Sequence, residues 1–175
     1  MAISSTINKV SLSIANMDTH YYQSHELTMA QNPSENDFRF MIRLIAFSLN
    51  AGEQLTFTKG MNNDDEPELW LKSLTDEIEL WIDFGQLDEK RIRKACGRAK
   101  QVIIYTYNEG KSNVWWQQQQ EKCRRFENLS VIQIMAEGVD ALLQRSMQLQ
   151  CNIQEGVMYL SDDNAVKTIT FSRIN

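Results

Sequence analysis

Cysteine, histidine and proline are scarce in this chain, and long apolar runs are missing. The three cysteines, Cys96, Cys123 and Cys151, lie far apart and are odd in number. They supply neither a disulfide framework nor a cysteine-rich zinc site, and they read as buried thiols in a reducing compartment. His20 and His25 have no nearby cysteine nucleophile and no metal-ligand spacing, so they read as tyrosine-flanked surface side chains. No stretch approaches the ~20 consecutive apolar residues of a membrane helix. The opening MAISSTINKV lacks the basic-then-apolar pattern of a secretory signal, so a cytoplasmic protein without a membrane partner is expected. The glycines are scattered and form no phosphate-binding loop. A formal net charge of -5 argues against indiscriminate nucleic-acid binding, because phosphates are held mainly by lysine and arginine.

What is present suits one compact domain over residues 1–175, since 175 residues with 42% hydrophobic content suffice for a single core. Val10, Leu12 and Ile14 alternate, a turn falls at Asn16 to Thr19, and a second run covers Tyr21 to Met29, which together predict an N-terminal β-hairpin. Pro33 closes it. Ser34 and Asp37 then form a helix-start pattern, and Phe38, Met41, Ile42, Ile45 and Leu49 predict a helix to about Ala51 with that stripe buried. Pro67 predicts a turn or helix start. In EIELWIDF, Ile78, Leu80 and Ile82 alternate against Glu77, Glu79, Trp81 and Asp83, the pattern of a central strand that Gly85 ends. Asp88 caps a helix whose buried stripe is Ile92, Ala95, Cys96 and Ala99.

The alternation continues with QVIIYTY, a helix from about Asn113 to Phe126, the strand LSVIQIM and a helix near Val139 to Met147. The four glutamines Gln117 to Gln120 fit a solvated helix face. Of the adjacent tryptophans, one ring is expected on the core and the other across its edge. Leu149 to Asn175 alternates around a turn at Ser161 to Asn164, predicting C-terminal strands. The expected class is therefore α/β in the mixed α+β sense, a mixed β-sheet core flanked by helices.

Charge is unevenly spread along the chain. Acids crowd Asn63 to Asp83, and Lys90, Arg91, Arg93, Lys94, Arg98 and Lys100 follow almost at once. A metal-dependent phosphodiester cutter needs carboxylates for a hard cation, a group that orients water, and positive charge against the transition state. Glu68 after the acidic loop and Asp83 at the strand end are the candidate ligands, with Gln86 just beyond and Lys90, Arg91 and Lys94 on the next helix as a phosphate-facing edge. On spacing alone, a loop acid, a helix-capping strand-end acid and a solvated basic face are the plainer reading of the same residues. Glu77 and Glu79 fit a solvent-facing strand edge paired to nearby bases.

The segments LTMAQNPSEN, FRFMIRLIAFSLNA, FTKGMNNDDEPELW, EIELWIDFGQ, RIRKACGRA and VIIYTY, in this order and across most of the chain, resemble the bacterial YaeQ family. The resemblance implies a variant of the PD-(D/E)XK, restriction-endonuclease-like fold. On that reading Pro67-Glu68 stands at the proline and first acid, and Asp83 at the acid of the second motif. Gly85 stands where the superfamily has its lysine. Lys94 is then the candidate substitute from the neighbouring helix, Gln86 orients a water, and Glu35 resembles the extra acid of some members. Two functions are expected from this. One is a Mg²⁺-dependent nuclease or phosphodiesterase, with Mn²⁺ as a substitute ion and Arg91 and Arg93 on phosphate. The other is a non-catalytic descendant that binds nucleic acid or a protein.

Overall fold

The computed structural model describes residues 3–59 and 63–175. The elements run β1 (Thr6–Asn16), β2 (Tyr21–Gln31), α1 (Asp37–Asn50), β3 (Leu55–Phe57), β4 (Leu69–Lys72), β5 (Ile78–Phe84), α2 (Glu89–Arg98), β6 (Ala99–Thr106), α3 (Glu109–Cys123), β7 (Leu129–Met135), β8 (Ser146–Gln154), β9 (Val157–Ser161) and β10 (Val166–Arg173). The fold is mixed α+β. The chain, read from its sequence as one domain, divides into two compact units that interleave along it. The first comprises Met1–Ser48 and Met135–Phe171, the second Leu49–Ile134 and Ser172–Asn175.

In the first unit β1 and β2 form the expected hairpin, paired antiparallel from Thr6↔Gln31 to Asn16↔Tyr21. β1 pairs on its other side with β8 in parallel, followed by the antiparallel β9 and β10. The period of two puts Val10, Leu12 and Ile14 of β1 and Met147, Leu149, Cys151 and Ile153 of β8 into the core, with polar residues between them on the outward face. Helix α1 is buried continuously from Phe40 to Ser48, so the expected single stripe is too narrow, and Phe38 and Leu49 are its less covered ends. Its N-terminus is also set differently. Asn36 Oδ1 accepts from the Arg39 amide at 2.8 Å, whereas Ser34 turns back to Asn32.

The second unit runs β7-β6-β5-β4-β3. β5 pairs in parallel with β6 and β6 with β7, while β4 lies antiparallel to β5 and β3 to β4. The β5-α2-β6-α3-β7 path gives the two parallel crossovers expected from the alternation. Pro67 leads into strand β4, not a helix, because Leu69 and Leu71 pair with Ile82 and Leu80. Asn108 caps α3, which begins four residues before the expected Asn113. Trp115 and Trp116 are both buried, and Trp115 Nε1 donates to Leu87 O at 2.7 Å.

The helix expected near Val139 to Met147 is absent. Val139–Leu142 form a short 3-10 turn, and the strict alternation of Met147, Leu149, Cys151 and Ile153 makes β8 a strand. All three cysteines are free, with Cys123 and Cys151 buried and Cys96 half-buried. Burial pushes the Cys96 and Cys151 thiols up to about 12, which keeps them protonated.

Candidate functional site

The site lies in the second unit, at the end of β5. Asp83 was expected on a polar strand face, but Trp81, Ile82, Asp83 and Phe84 are all buried, because β5 is flanked by β4 and β6 and covered on both sides. Asp83 itself is 1% exposed. A carboxylate so placed needs internal donors, and it has them. Its Oδ1 accepts from the Glu68 amide at 3.2 Å and Arg91 Nη2 at 3.0 Å, and its Oδ2 from Trp81 Nε1 at 2.9 Å and Arg91 Nε at 2.9 Å. The Arg91 fork is thus bidentate, the geometry that makes a guanidinium–carboxylate pair strong.

Glu68 is also buried, its amide bonded both to Asp83 and to the Ile82 carbonyl, the latter at 3.1 Å. The Arg91 guanidinium is pulled down by burial, but the hydrogen bonds and charge of Asp83, with help from Asp64 and Glu68, hold its pKa above the usual arginine value. At the turn that follows, Gly85 adopts φ +89°, a left-handed conformation suited to glycine, and donates to the Tyr105 carbonyl at 2.9 Å.

Helix α2 begins four residues later, capped by Asp88 as expected, whose Oδ1 accepts from the Arg91 amide at 2.8 Å. Arg91, Lys94 and Arg98 are spaced along one side of this helix, and all three reach the acidic loop. Arg91 donates to the carbonyls of Asn63 at 3.3 Å and Glu66 at 3.0 Å. Lys94 Nζ donates to Asp64 O at 2.9 Å and to the Asp65 carboxylate at 2.6 Å. Arg98 closes the row on Asp65 O. The hydrogen bond and charge of Lys94 hold the exposed Asp65 carboxyl below its ordinary range. Asn62, with which the acidic loop begins in the sequence, lies outside the described residues.

Other candidates stand elsewhere. Glu35 lies in the first unit, buried, and its carboxylate is engaged by Arg39 at 2.8 Å and by Arg43 at 2.7 and 2.8 Å. Gln86 is exposed. Arg93 is exposed, with only a long 3.9 Å approach to Glu89, and Lys90 is exposed with no partner among the described residues. Asp64, Asp88, Lys90, Arg91 and Lys94 line a cavity of about 230 Å³. Glu77 and Glu79 pair with Lys100 at 3.5 and 2.7 Å, as their strand positions suggested. Trp81 is the site residue that sequence reasoning missed. The signal was its position two residues before Asp83, which puts both side chains on one face of the strand.

These residues do not fit a bound Mg²⁺. Asp83 has both oxygens doubly occupied, the Arg91 guanidinium spans them, and no cluster of three or more His, Cys, Asp or Glu ligands forms among the described residues. The fold and site define a mixed α+β protein with an arginine-locked carboxylate. The chain belongs to the YaeQ protein family, whose sequence profile matches residues 1–171. It is 45% identical over 166 residues to a YaeQ protein of uncharacterized function from Escherichia coli strain K12, covering 93% of this chain and 92% of that one. A Salmonella typhi YaeQ is 41% identical over 165 residues, covering 93% and 91%. The crystal structure of YaeQ from Xanthomonas axonopodis pv. citri superposes with a TM-score of 0.93 at 40% identity, covering 97% of this chain and 98% of that one. YaeQ from Pseudomonas syringae gives 0.91 at 28%, covering 98% and 96%. No helix among the described residues is long and apolar enough to cross a membrane.

Proposed function

We infer that this chain is a non-catalytic descendant of the PD-(D/E)XK nuclease scaffold that binds nucleic acid through helix α2. The bidentate Arg91–Asp83 pair carries the reading, because it spends the second-motif acid on holding the chain together. The scaffold assignment rests on Pro67-Glu68 ahead of β4, Asp83 at the end of β5, and the helix that follows. The binding assignment rests on Lys90 and Arg93, the exposed bases of α2 that the acidic loop does not consume. Arg91, expected on phosphate, faces Asp83 instead.

The second reading, a Mg²⁺- or Mn²⁺-dependent nuclease, is favoured by the Glu68 amide on Asp83, which draws the two acids to one place. It requires Arg91 to leave Asp83, and Lys94 to release the acidic loop, before Gln86 and Lys94 can serve a reaction. The test is fluorescence anisotropy with labelled single- and double-stranded DNA and RNA in chelator, at about 50 and 200 mM salt. Binding that weakens with salt, and weakens further in the Lys90→Glu, Arg93→Glu variant, is expected. Unchanged binding in that variant contradicts the role of α2. Association with a protein that survives high salt, with no nucleic-acid binding, would replace the reading by the protein-partner alternative.

A further inference from the structure

The outward face of the first unit is built of aligned rungs, because residues opposite one another on paired strands share a face. One rung crosses β2, β1 and β8 as Glu26, Ser11 and Gln148. The next crosses β2, β1, β8 and β9 as Ser24, Ser13, Gln150 and Ser161. The third runs Tyr22, Ala15, Asn152 and Tyr159. The first two rungs, with Asp162 and Asp163 of the turn after β9, line a cavity of about 330 Å³.

The chemistry of this cavity is selective. Ser11 donates to Glu26, and Ser13 and Ser24 bond to each other at 3.1 Å, so part of the lattice is fixed in place. Gln148, Gln150 and Ser161 keep their side-chain donors and acceptors without a protein partner among the described residues. Glu26, Asp162 and Asp163 are the charged residues of the lining, and all three are acids. No lysine or arginine among the described residues lines the cavity, which leaves no base there to hold a phosphate or carboxylate. Apolar side chains are withheld too, since Leu12 and Leu149 point into the core at 1% and 2% exposure. Two exposed rings, Tyr22 at 56% and Tyr159 at 42%, stand at the two ends of the third rung, beside the cavity and outside its lining.

We propose that this cavity is a binding site for a neutral saccharide. The sugar hydroxyls both donate and accept, as do the two carboxamides and the Ser161 hydroxyl, and the carboxylates at the rim accept. A saccharide long enough to reach past the second rung lays the apolar C–H face of a further unit against one of the two tyrosine rings there, which are apolar across the face and polar at the hydroxyl. The absence of a base separates this ligand from sugar phosphates, and the absence of an apolar wall separates it from hydrophobic ligands. The site is independent of the reading given for α2.

The experiment is an amide NMR titration of the full chain with cellobiose and maltose, with glucose 6-phosphate as the charged comparison. Saturable shifts confined to the rungs, with a dissociation constant on the order of millimolar, are expected for at least one disaccharide. Gln148→Ala with Gln150→Ala should weaken it about tenfold while far-UV circular dichroism is unchanged. Tyr22→Ala, which removes no buried group, should also weaken it. No saturable shift up to roughly 50 mM of either disaccharide, shifts centred away from the rungs, or glucose 6-phosphate binding as tightly would each overturn the proposal.

Discussion

Asp83 sits where a nuclease would place a metal ligand, yet four donors of the chain itself occupy its oxygens. Removing one partner of such a buried pair leaves the other charge uncompensated, a loss of about 3–5 kcal/mol. Asp83→Ala should therefore shift the urea midpoint strongly. Glu77→Ala, which removes an exposed contact with Lys100, should cost less than ~1 kcal/mol. Comparable midpoints for the two variants would contradict the lock.

His25 offers a second check at this scale. Its ring accepts or donates a 2.7 Å hydrogen bond with the Tyr21 hydroxyl and meets Phe47 edge-on, and burial lowers its pKa below 6.5. The unfolded chain then takes up the proton first as pH falls, so this contribution to stability is full above pH 6.5 and declines as pH drops through the folded-state value. His25→Gln should flatten the stability profile below pH 6.5, and an unchanged slope would show that other groups set it. In the sequence the Asp88 cap and the Glu77 and Glu79 pairing were legible, because each depends on near neighbours or strand parity. The partner of Asp83 was not, since choosing Arg91 over Lys90 or Lys94 depends on the angle at which α2 leaves the turn at Gly85.

At the scale of elements, the acidic loop and α2 form one clamped assembly. Lys94 and Arg98 hold Asp64 and Asp65 by exposed contacts, while Arg91 ties the same loop to the buried acid. Local opening free energies follow such contacts. Lys94→Ala with Arg98→Ala should make the loop cut at Asp64 or Asp65 roughly severalfold faster by an Asp-specific protease, with global stability little changed. Equal cleavage rates would mean that the loop is held by Arg91 alone. The basic run was legible as a charged helix but its destination was not, because i, i+3 and i+7 spacing names a face without naming what that face meets. Strand β8 teaches the complementary point. Its alternation was visible from Leu149 onward, and extending that parity back to Met147 would have displaced the helix expected there.

At the scale of the molecule, two units share one chain, and the N-terminal hairpin finds its parallel partner β8 more than a hundred residues later. Local patterns cannot display a pairing of that separation, so the mixed α+β class was readable while the strand order was not. The YaeQ likeness carried in the ordered motifs did hold across the chain, at 40% identity and a TM-score of 0.93 to a solved family member.

Whether the Asp83 carboxylate belongs to the fold or to a metal separates the binding descendant from the nuclease. Calorimetric titration of Mg²⁺ and Mn²⁺ into the wild type and into the Glu68→Ala, Asp83→Ala variant decides it most directly, with folding of the variant checked by circular dichroism. An arginine-locked carboxylate predicts no saturable heat in the wild type with either ion. Saturable binding in the wild type that a folded variant loses would contradict it and restore the metal-dependent nuclease.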